Sequence, residues 1–563
     1  MPRNDAISQS SNTPSFSVNI QYWKVGAIGL ALFFSIPLLT TFFSIFIPNG
    51  EVWRHLYDTV LMEYLGNSLL LMLGVGVLSL LMGVSSAWLI TMCQFPGSRV
   101  FSWLLLLPMA MPAYIIAYTY TGILDVSGPL QEWIRTSFEV GFGDYWFPDI
   151  RSLGGATVLL SLVLYPYIYL LTRAAFIEQS VCVLEVSRTL GCNAYRMFFK
   201  VALPLARPAI LVGLSLVLME TLADYGTVQY FGVATFTTGI FRTWFGLGNN
   251  VAAAQLSAFM LLFVILLVYL ERRSRKQSQY YHTSSKYSQI NPIKLKGAGA
   301  ALACSLCGTL VLLGFIIPVY FLISWAVATF SSVIDEEFLL LIWHSFSLAL
   351  TTAIIALILA MFFIYGKRRY SGPLMNNATR FVAMGYALPG TIIAVGVMLP
   401  FAWFDNTLDA WLREEFEISS GLLLSGGLFI LVIAYLVRFL AVSVNGVDAA
   451  LAKVKPSMDE AGRTMGLKDA GIVRKIHMPM IKGSLLTAAL LVFVDVLKEL
   501  PATLILRPFN YNTLAIRTYE LANEERLADA ATPALAIVLV GIIPVILLSL
   551  SIRKSRPGYN ARS

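Results

Sequence analysis

Glu185-Val-Ser-Arg-Thr-Leu-Gly191, with Val201-Ala-Leu-Pro204 after it, decides how this chain is read, because the pattern occurs twice. The second copy is Glu460-Ala-Gly-Arg-Thr-Met-Gly466 with Ile476-His-Met-Pro479, 275 residues further on. Both copies lie in basic, polar breaks between long apolar segments. A chain that keeps one polar loop twice at one internal spacing is expected to dock something symmetric there.

The segments around the two loops set the class. Of 563 residues, 57% are hydrophobic and only 13% charged, and the mean hydropathy is +0.72. That is too apolar for a soluble multidomain protein, and the apolar residues come in membrane-length runs. About twelve spans are expected. Six fall near 25–47, 64–92, 99–122, 153–174, 205–224 and 251–271; six more fall near 298–328, 340–365, 376–402, 419–441, 480–500 and 530–552. Each is long enough to cross a hydrocarbon core of about 30 Å at ~1.5 Å per residue. The segment 1–24 is polar, and no small-residue cleavage site follows a short apolar core, so the first span reads as a retained helix rather than a signal peptide. The sequence lacks alternating strands, which argues against an outer-membrane barrel.

The formal charge of +8 reports topology rather than a nucleic-acid partner. The linker 272–296 carries seven Lys or Arg and no acid. Basic residues also fill 367–380, 453–482 and the tail 553–563, whereas the alternate loops hold acids such as Asp125, Glu132, Asp405 and Glu414. By the positive-inside rule both termini, the linker and both repeated loops are expected in the cytoplasm. Of the five cysteines, Cys304-x-x-Cys307 sits among Ala, Leu and Gly in an apolar run, where small-residue packing is the reading and metal or redox chemistry the alternative. The four histidines show no ligand spacing.

The 275-residue offset extends beyond the loops: Leu222 matches Leu497, Thr238 matches Thr513, and Arg242 matches Arg517. Pro112-Ala-Tyr-Ile-Ile-Ala echoes Pro389-Gly-Thr-Ile-Ile-Ala at a slightly different offset. The chain is therefore an internal repeat. The expected fold is an all-α polytopic membrane protein of two parallel six-helix halves, 25–271 and 297–552. Six is even, so both halves enter the membrane in one direction. Their pseudo-two-fold then runs along the membrane normal, with a pathway between the halves.

Within each loop, a short helical stretch headed by an acid ends at Gly191 or Gly466, where glycine permits a left-handed turn. Pro204 and Pro479 stand where a membrane helix is expected to begin. Arg188 and Arg463 are placed to pair with Glu185 and Glu460 at i+3, or to hold lipid phosphates. The spacing Glu-x5-Gly-x9-hydrophobic-x-hydrophobic-Pro resembles the "EAA" motif of membrane subunits of bacterial ATP-binding-cassette importers. Copy one departs from it at Val186-Ser187 and copy two at Gly462. The two-half organisation, Glu220-Thr-Leu-Ala-Asp-Tyr-Gly-Thr227 and Lys498-Glu-Leu-Pro-Ala-Thr503 are similar to the ferric-iron permeases of that superfamily; thiamine, polyamine and sulfate permeases share much of the architecture.

The resemblance implies that Glu185, Arg188, Gly191, Pro204, Glu460, Arg463, Gly466 and Pro479 build two coupling helices. It also implies two cytoplasmic ATPase subunits, which carry ATP and Mg, and one periplasmic or lipid-anchored solute-binding protein. The chain has no G-x-x-x-x-G-K-[ST] loop to cradle ATP phosphates, so it is read as a permease and not an enzyme.

Four acids obey the same offset. Glu220 and Asp224 lie at i and i+4, and Asp495 and Glu499 repeat them. Sixteen residues, about 24 Å of helix, separate Glu220 from Pro204 and Asp495 from Pro479. The four are thus expected at one depth, each pair on one helix face. An acid at a span centre costs ~2.5–3.5 kcal/mol, so a shared hydrated pathway is the economical place for them. Tyr225 adds a possible phenolate beside these hard carboxylate oxygens, a set suited to transient ferric iron. An Asp495–Lys498 pair and purely structural bonds are the competing readings. Arg242 and Arg517 are expected in matching outer loops, contacting the binding protein or snorkelling at the interface. The rival class is an ion-coupled secondary transporter using the acids as a proton relay; it leaves the doubled Glu–Gly–Pro loops unexplained.

Overall fold

The computed structural model describes residues 15–178, 193–276, 293–370 and 372–554. Among them are eleven helices long and apolar enough to cross a membrane. A twelfth span appears if Ser98–Ala110 and Ala113–Phe138, bent by 93° at Met111-Pro112, are taken together. The expected straight span 99–122 is thus broken, because Pro112 supplies no N–H and its own ψ of 142° is extended. The second half does the same at Pro389, with ψ 140°. The expected span 376–402 is therefore a short amphipathic helix followed by a long one that starts at Gly390. The span expected at 419–441 lies at Leu428–Leu451, since 417–427 is an irregular loop.

In the first half the elements that matter are α1 (Ser15–Phe43), α2 (Leu61–Met92), α3 (Ser98–Leu104), α4 (Ala113–Leu124) and α5 (Leu153–Glu178). They continue with α6 (Leu203–Ala223), α7 (Gly226–Tyr230), α8 (Phe236–Phe241) and α9 (Asn250–Lys276). The second half holds α10 (Ala298–Val311), α11 (Ile317–Val333), α12 (Glu336–Arg369), α13 (Pro373–Val382), α14 (Gly390–Phe416) and α15 (Leu428–Leu451). After these come α16 (Pro456–Thr464), α17 (Asp469–Ile472), α18 (Met478–Leu497), α19 (Pro501–Leu506), α20 (Leu514–Asn523) and α21 (Leu527–Lys554). α9 carries the chain to Lys276, into the stretch expected to be linker. At its far end Ile293–Lys294 pairs in parallel with Cys93–Gln94.

The repeat is visible in the packing. α2, α5 and α6 pack on one another in the first half, and α12, α15 and α18 form the same trio in the second. The halves also exchange arms. α1 lies against α14 and α13 of the other half, while α11 and α21 reach α4. Thr40 donates its hydroxyl to the Gly396 carbonyl at 2.8 Å, and a methyl added at Gly396 would stand 2.2 Å from the Pro37 carbonyl. These two helices touch backbone to backbone, which only small residues permit.

Pro204 and Pro479 stand in the first turn of α6 and α18, as expected, but the chain is already helical before them. Helical backbone already runs from Ala194 and from Asp469, and each proline is reached through one widened turn, Phe198–Ala202 and Val473–His477, again 275 residues apart. A wider turn seats the ring, which would clash with the carbonyl four residues back in a regular helix.

Candidate functional site

α6 and α18 both stop at the level of the four acids. The stop separates the members of each pair, contrary to the i, i+4 expectation. Glu220 and Asp495 stay on their helices. Asp224 and Glu499 lie past the ends, at Ala223 and Leu497, and fold over the first turn of the next short helix. Asp224 accepts hydrogen bonds from the Thr227 hydroxyl (3.0 Å) and the Val228 amide (3.1 Å) at the start of α7. Glu499 accepts from the amides of Ala502 (3.0 Å) and Thr503 (3.1 Å) at the start of α19. A carboxylate satisfies the free N–H groups of a helix start, and the helix dipole favours it there. Two of the four acids are therefore held as caps.

All four still line one cavity, of about 130 Å³, where the halves meet. Tyr114, Tyr167 and Tyr225 join Glu220 and Asp224 on the first-half side. Tyr386, Arg438 and Lys498 join Asp495 and Glu499 on the other. Lys498 pairs with Asp495 at 2.8 Å, as one competing reading anticipated. The sequence reading missed Arg438, whose signal was a lone cation inside the apolar run of α15. Its Nη1 lies 3.1 Å from Glu499 and its Nη2 4.0 Å from Glu220. Tyr225 stacks on Phe241 at 3.7 Å between ring centroids. The Tyr114 hydroxyl is buried and has no hydrogen-bond partner among the described residues. Four carboxylates against two cations leave the lining with an excess of two negative charges, so the cavity favours a cation. Among the described residues no three His, Cys, Asp or Glu converge as metal ligands. The capping bonds account for this by turning Asp224 and Glu499 toward the backbone.

The second repeated loop forms the expected helix, turn, helix. α16 is followed by Gly466, whose φ of +82° is the left-handed conformation that glycine adopts without strain. Arg463 does not pair with Glu460. It faces Asp469 at 4.0 Å, and Glu460 is exposed. Asp469 also accepts from the hydroxyls of Tyr365 (2.8 Å) and Tyr370 (3.1 Å) and lies 3.6 Å from Arg369. One turn earlier on α16, Asp459 accepts from Arg368 Nε (2.8 Å) and lies 2.7 Å from His477 Nε2. Arg368 also donates to the Leu451 and Val454 carbonyls, closing the end of α15. Two carboxylates thus rivet α16 and α17 to the foot of α12. Met465, 82% exposed, stands at the tip beside Gly466. Glu185, Arg188 and Gly191 of the first loop lie outside the described residues.

The two matched arginines, Arg242 and Arg517, are not equivalent. The helix-capping threonines are Thr235 and Thr513, 278 residues apart, so the register slips by three residues after the cavity. Arg242 is exposed at the end of α8, whereas Arg517 lines a cavity of about 60 Å³ with Asp335, Glu337 and Asp529.

The family described as the binding-protein-dependent transport system inner membrane component matches residues 79–276 and again residues 356–558. The chain belongs to that family. As such an inner membrane component it is a multi-pass permease of an importer whose other parts are an ATPase and a substrate-binding protein. It is 26% identical over 528 residues to the Fe(3+)-transport system permease protein FbpB 2 of Haemophilus influenzae, covering 92% of this chain and 97% of that one. It is 23% identical over 512 residues to the ferric transport system permease protein FbpB of Actinobacillus pleuropneumoniae, covering 85% and 71%. To the molybdenum transport system permease protein ModB of Escherichia coli K12 it is 29% identical over 153 residues, which is 27% of this chain and 64% of that one.

Proposed function

We propose that this permease moves ferric iron from a periplasmic binding protein to the cytoplasm, driven by two ATPase subunits that carry ATP and Mg. The observation that carries the reading is the similarity to an Fe(3+)-transport permease over nearly the whole of both chains. The cavity supports it, since a carboxylate-rich lining with net negative charge suits a hard cation. Both termini and the segment 272–296 face the cytoplasm, as the charge pattern predicts. Glu460, Arg463, Gly466 and Pro479 shape one coupling helix, and Glu185, Arg188, Gly191 and Pro204 the other. Arg242 and Arg517 meet the binding protein. Closure of the ATPases pushes both coupling helices, the two halves rock apart around the cavity, and hydrolysis resets them. Glu220 and Asp495 line the path, while Asp224 and Glu499 shape its wall.

A second reading, an oxyanion cargo, draws on Arg438 and Lys498, but the excess of carboxylates disfavours it. The test is uptake of labelled ferric iron, and of molybdate in parallel, by proteoliposomes holding the permease, its ATPase and its binding protein. ATP-dependent iron uptake that disappears in Glu220→Gln with Asp495→Asn bears the reading out. ATP hydrolysis stimulated by the binding protein without iron movement discards iron and keeps the importer.

A further inference from the structure

Arg438 lines the cavity, and the first half carries no matching cation at its position. At the 275-residue offset its place is taken by Val163, and that of Lys498 by Ala223. Both cations of the lining therefore come from the second half, while the acids come from both. Arg438 is almost buried, with a side chain 11% exposed. It belongs to α15 and reaches Glu220 of α6, so it crosses the seam that must open for cargo to pass. Its Nε has no hydrogen-bond partner among the described residues, so Glu220 and Glu499 do not saturate the guanidinium. An arginine keeps its charge at every physiological pH. Loss of the arginine's own proton therefore cannot release this contact; a cation competing for its carboxylates can.

Resting on the cation-transport reading above, we propose that Arg438 is a tethered stand-in for the cargo. It occupies the Glu220–Glu499 pair between transport cycles and sets a threshold of charge for entry. The competition decides who passes. A tethered monovalent cation is present at high effective concentration, so a free monovalent ion of equal charge does not displace it. Coulomb attraction grows in proportion to charge, so a trivalent ion gains about three times as much from the same carboxylates. Arg438 thereby works as a valence filter. When cargo takes Glu220, the guanidinium swings away and the cross-seam contact is lost, which couples entry to separation of the halves.

The experiment is titration of the detergent-purified permease–ATPase complex with terbium(III), a redox-inert trivalent probe read by its sensitised luminescence, with magnesium as competitor. The wild type is expected to bind terbium weakly and to ignore magnesium. Arg438→Gln is expected to bind terbium at least ~10-fold more tightly and to admit magnesium. Adding Glu220→Gln returns binding to the wild-type level, an outcome that a merely structural arginine would not give. Unchanged terbium affinity in Arg438→Gln overturns the proposal. If that variant does not assemble, Arg438→Lys, whose ammonium grips one carboxylate instead of two, is expected to shift affinity in the same direction by less; wild-type affinity there overturns it equally. The readout needs neither transport nor iron. A filter confirmed beside failed iron uptake sinks the cargo assignment alone, and iron uptake beside unchanged terbium binding sinks the filter alone.

Discussion

At the scale of single residues, the cavity is held by contacts with no slack. Gly390, the first residue of α14, has Glu499 and Arg438 against its missing side chain: an added methyl would lie 2.5 Å from Glu499 Oε1 and 2.9 Å from Arg438 Nη1. Gly390→Ala is therefore expected to push Glu499 off its capping bonds and to loosen Arg438. Its effect should be a loss of at least ~10-fold in uptake with the ATPase still bound, checked by proteoliposome uptake beside pull-down of the ATPase. A change of ~1.4 kcal/mol is already tenfold, and leaving a buried charge unpaired costs more than that. Wild-type uptake in Gly390→Ala would show that the network is not needed for passage. The acids themselves were legible in the sequence, since matched carboxylates in apolar spans need a shared polar partner. Their division into two helix caps and two groups paired with cations was not. Spacing places residues on a face only while the helix continues, and here both helices end between the two acids.

At the scale of elements, α16 is more a fixed lever than a surface helix. Arg368 ties it to α12 through Asp459 and closes α15 through two carbonyls. Arg368→Ala is expected to cost about 3–5 kcal/mol locally, the usual consequence of stranding a buried partner. It should appear as a lower Tm and as ATPase activity no longer stimulated by the binding protein. Burial pushes the Asp459 carboxyl up, but hydrogen bonds from His477 and Arg368 outweigh it and hold the group below the usual carboxylate range. A lowered carboxyl stabilises the fold above its unfolded pKa of about 3.9 and loses that contribution as pH falls through the folded value. Thermal melts between pH 6 and pH 3 are expected to steepen below about pH 4, and Asp459→Asn should flatten that limb; identical limbs would refute the assignment. The helix–turn–helix and the left-handed Gly466 followed from the sequence, because a glycine after a short amphipathic stretch is a local signal. The Arg368 partner of Asp459 was hidden, because it comes from α12, 91 residues away.

At the scale of the whole molecule, the two halves read from the sequence are real as a packing repeat, yet they are not separable bodies. The sequence showed the six-plus-six count and the offset, which depend on local hydropathy and identity. It did not show the exchanged arms, because lipid-facing and partner-facing apolar helices share one composition. The expectation is that residues 1–284 and 285–563, made as two chains in one cell, assemble and transport, while either alone is degraded. Membrane abundance and uptake measured in the three strains check this, and a stable lone half would contradict the exchange. The contact of α1 with α14 also has a consequence for synthesis. Thr40 and its acceptor Gly396 are 356 residues apart in the chain. At about 5–20 residues per second the ribosome takes roughly 18–70 s to deliver the second after the first. Through that interval the face of α1 that carries Pro37 and Thr40 lies in the bilayer without its partner, so a newborn chain depends on lipid, or on an insertion factor, to keep that face from the wrong neighbour.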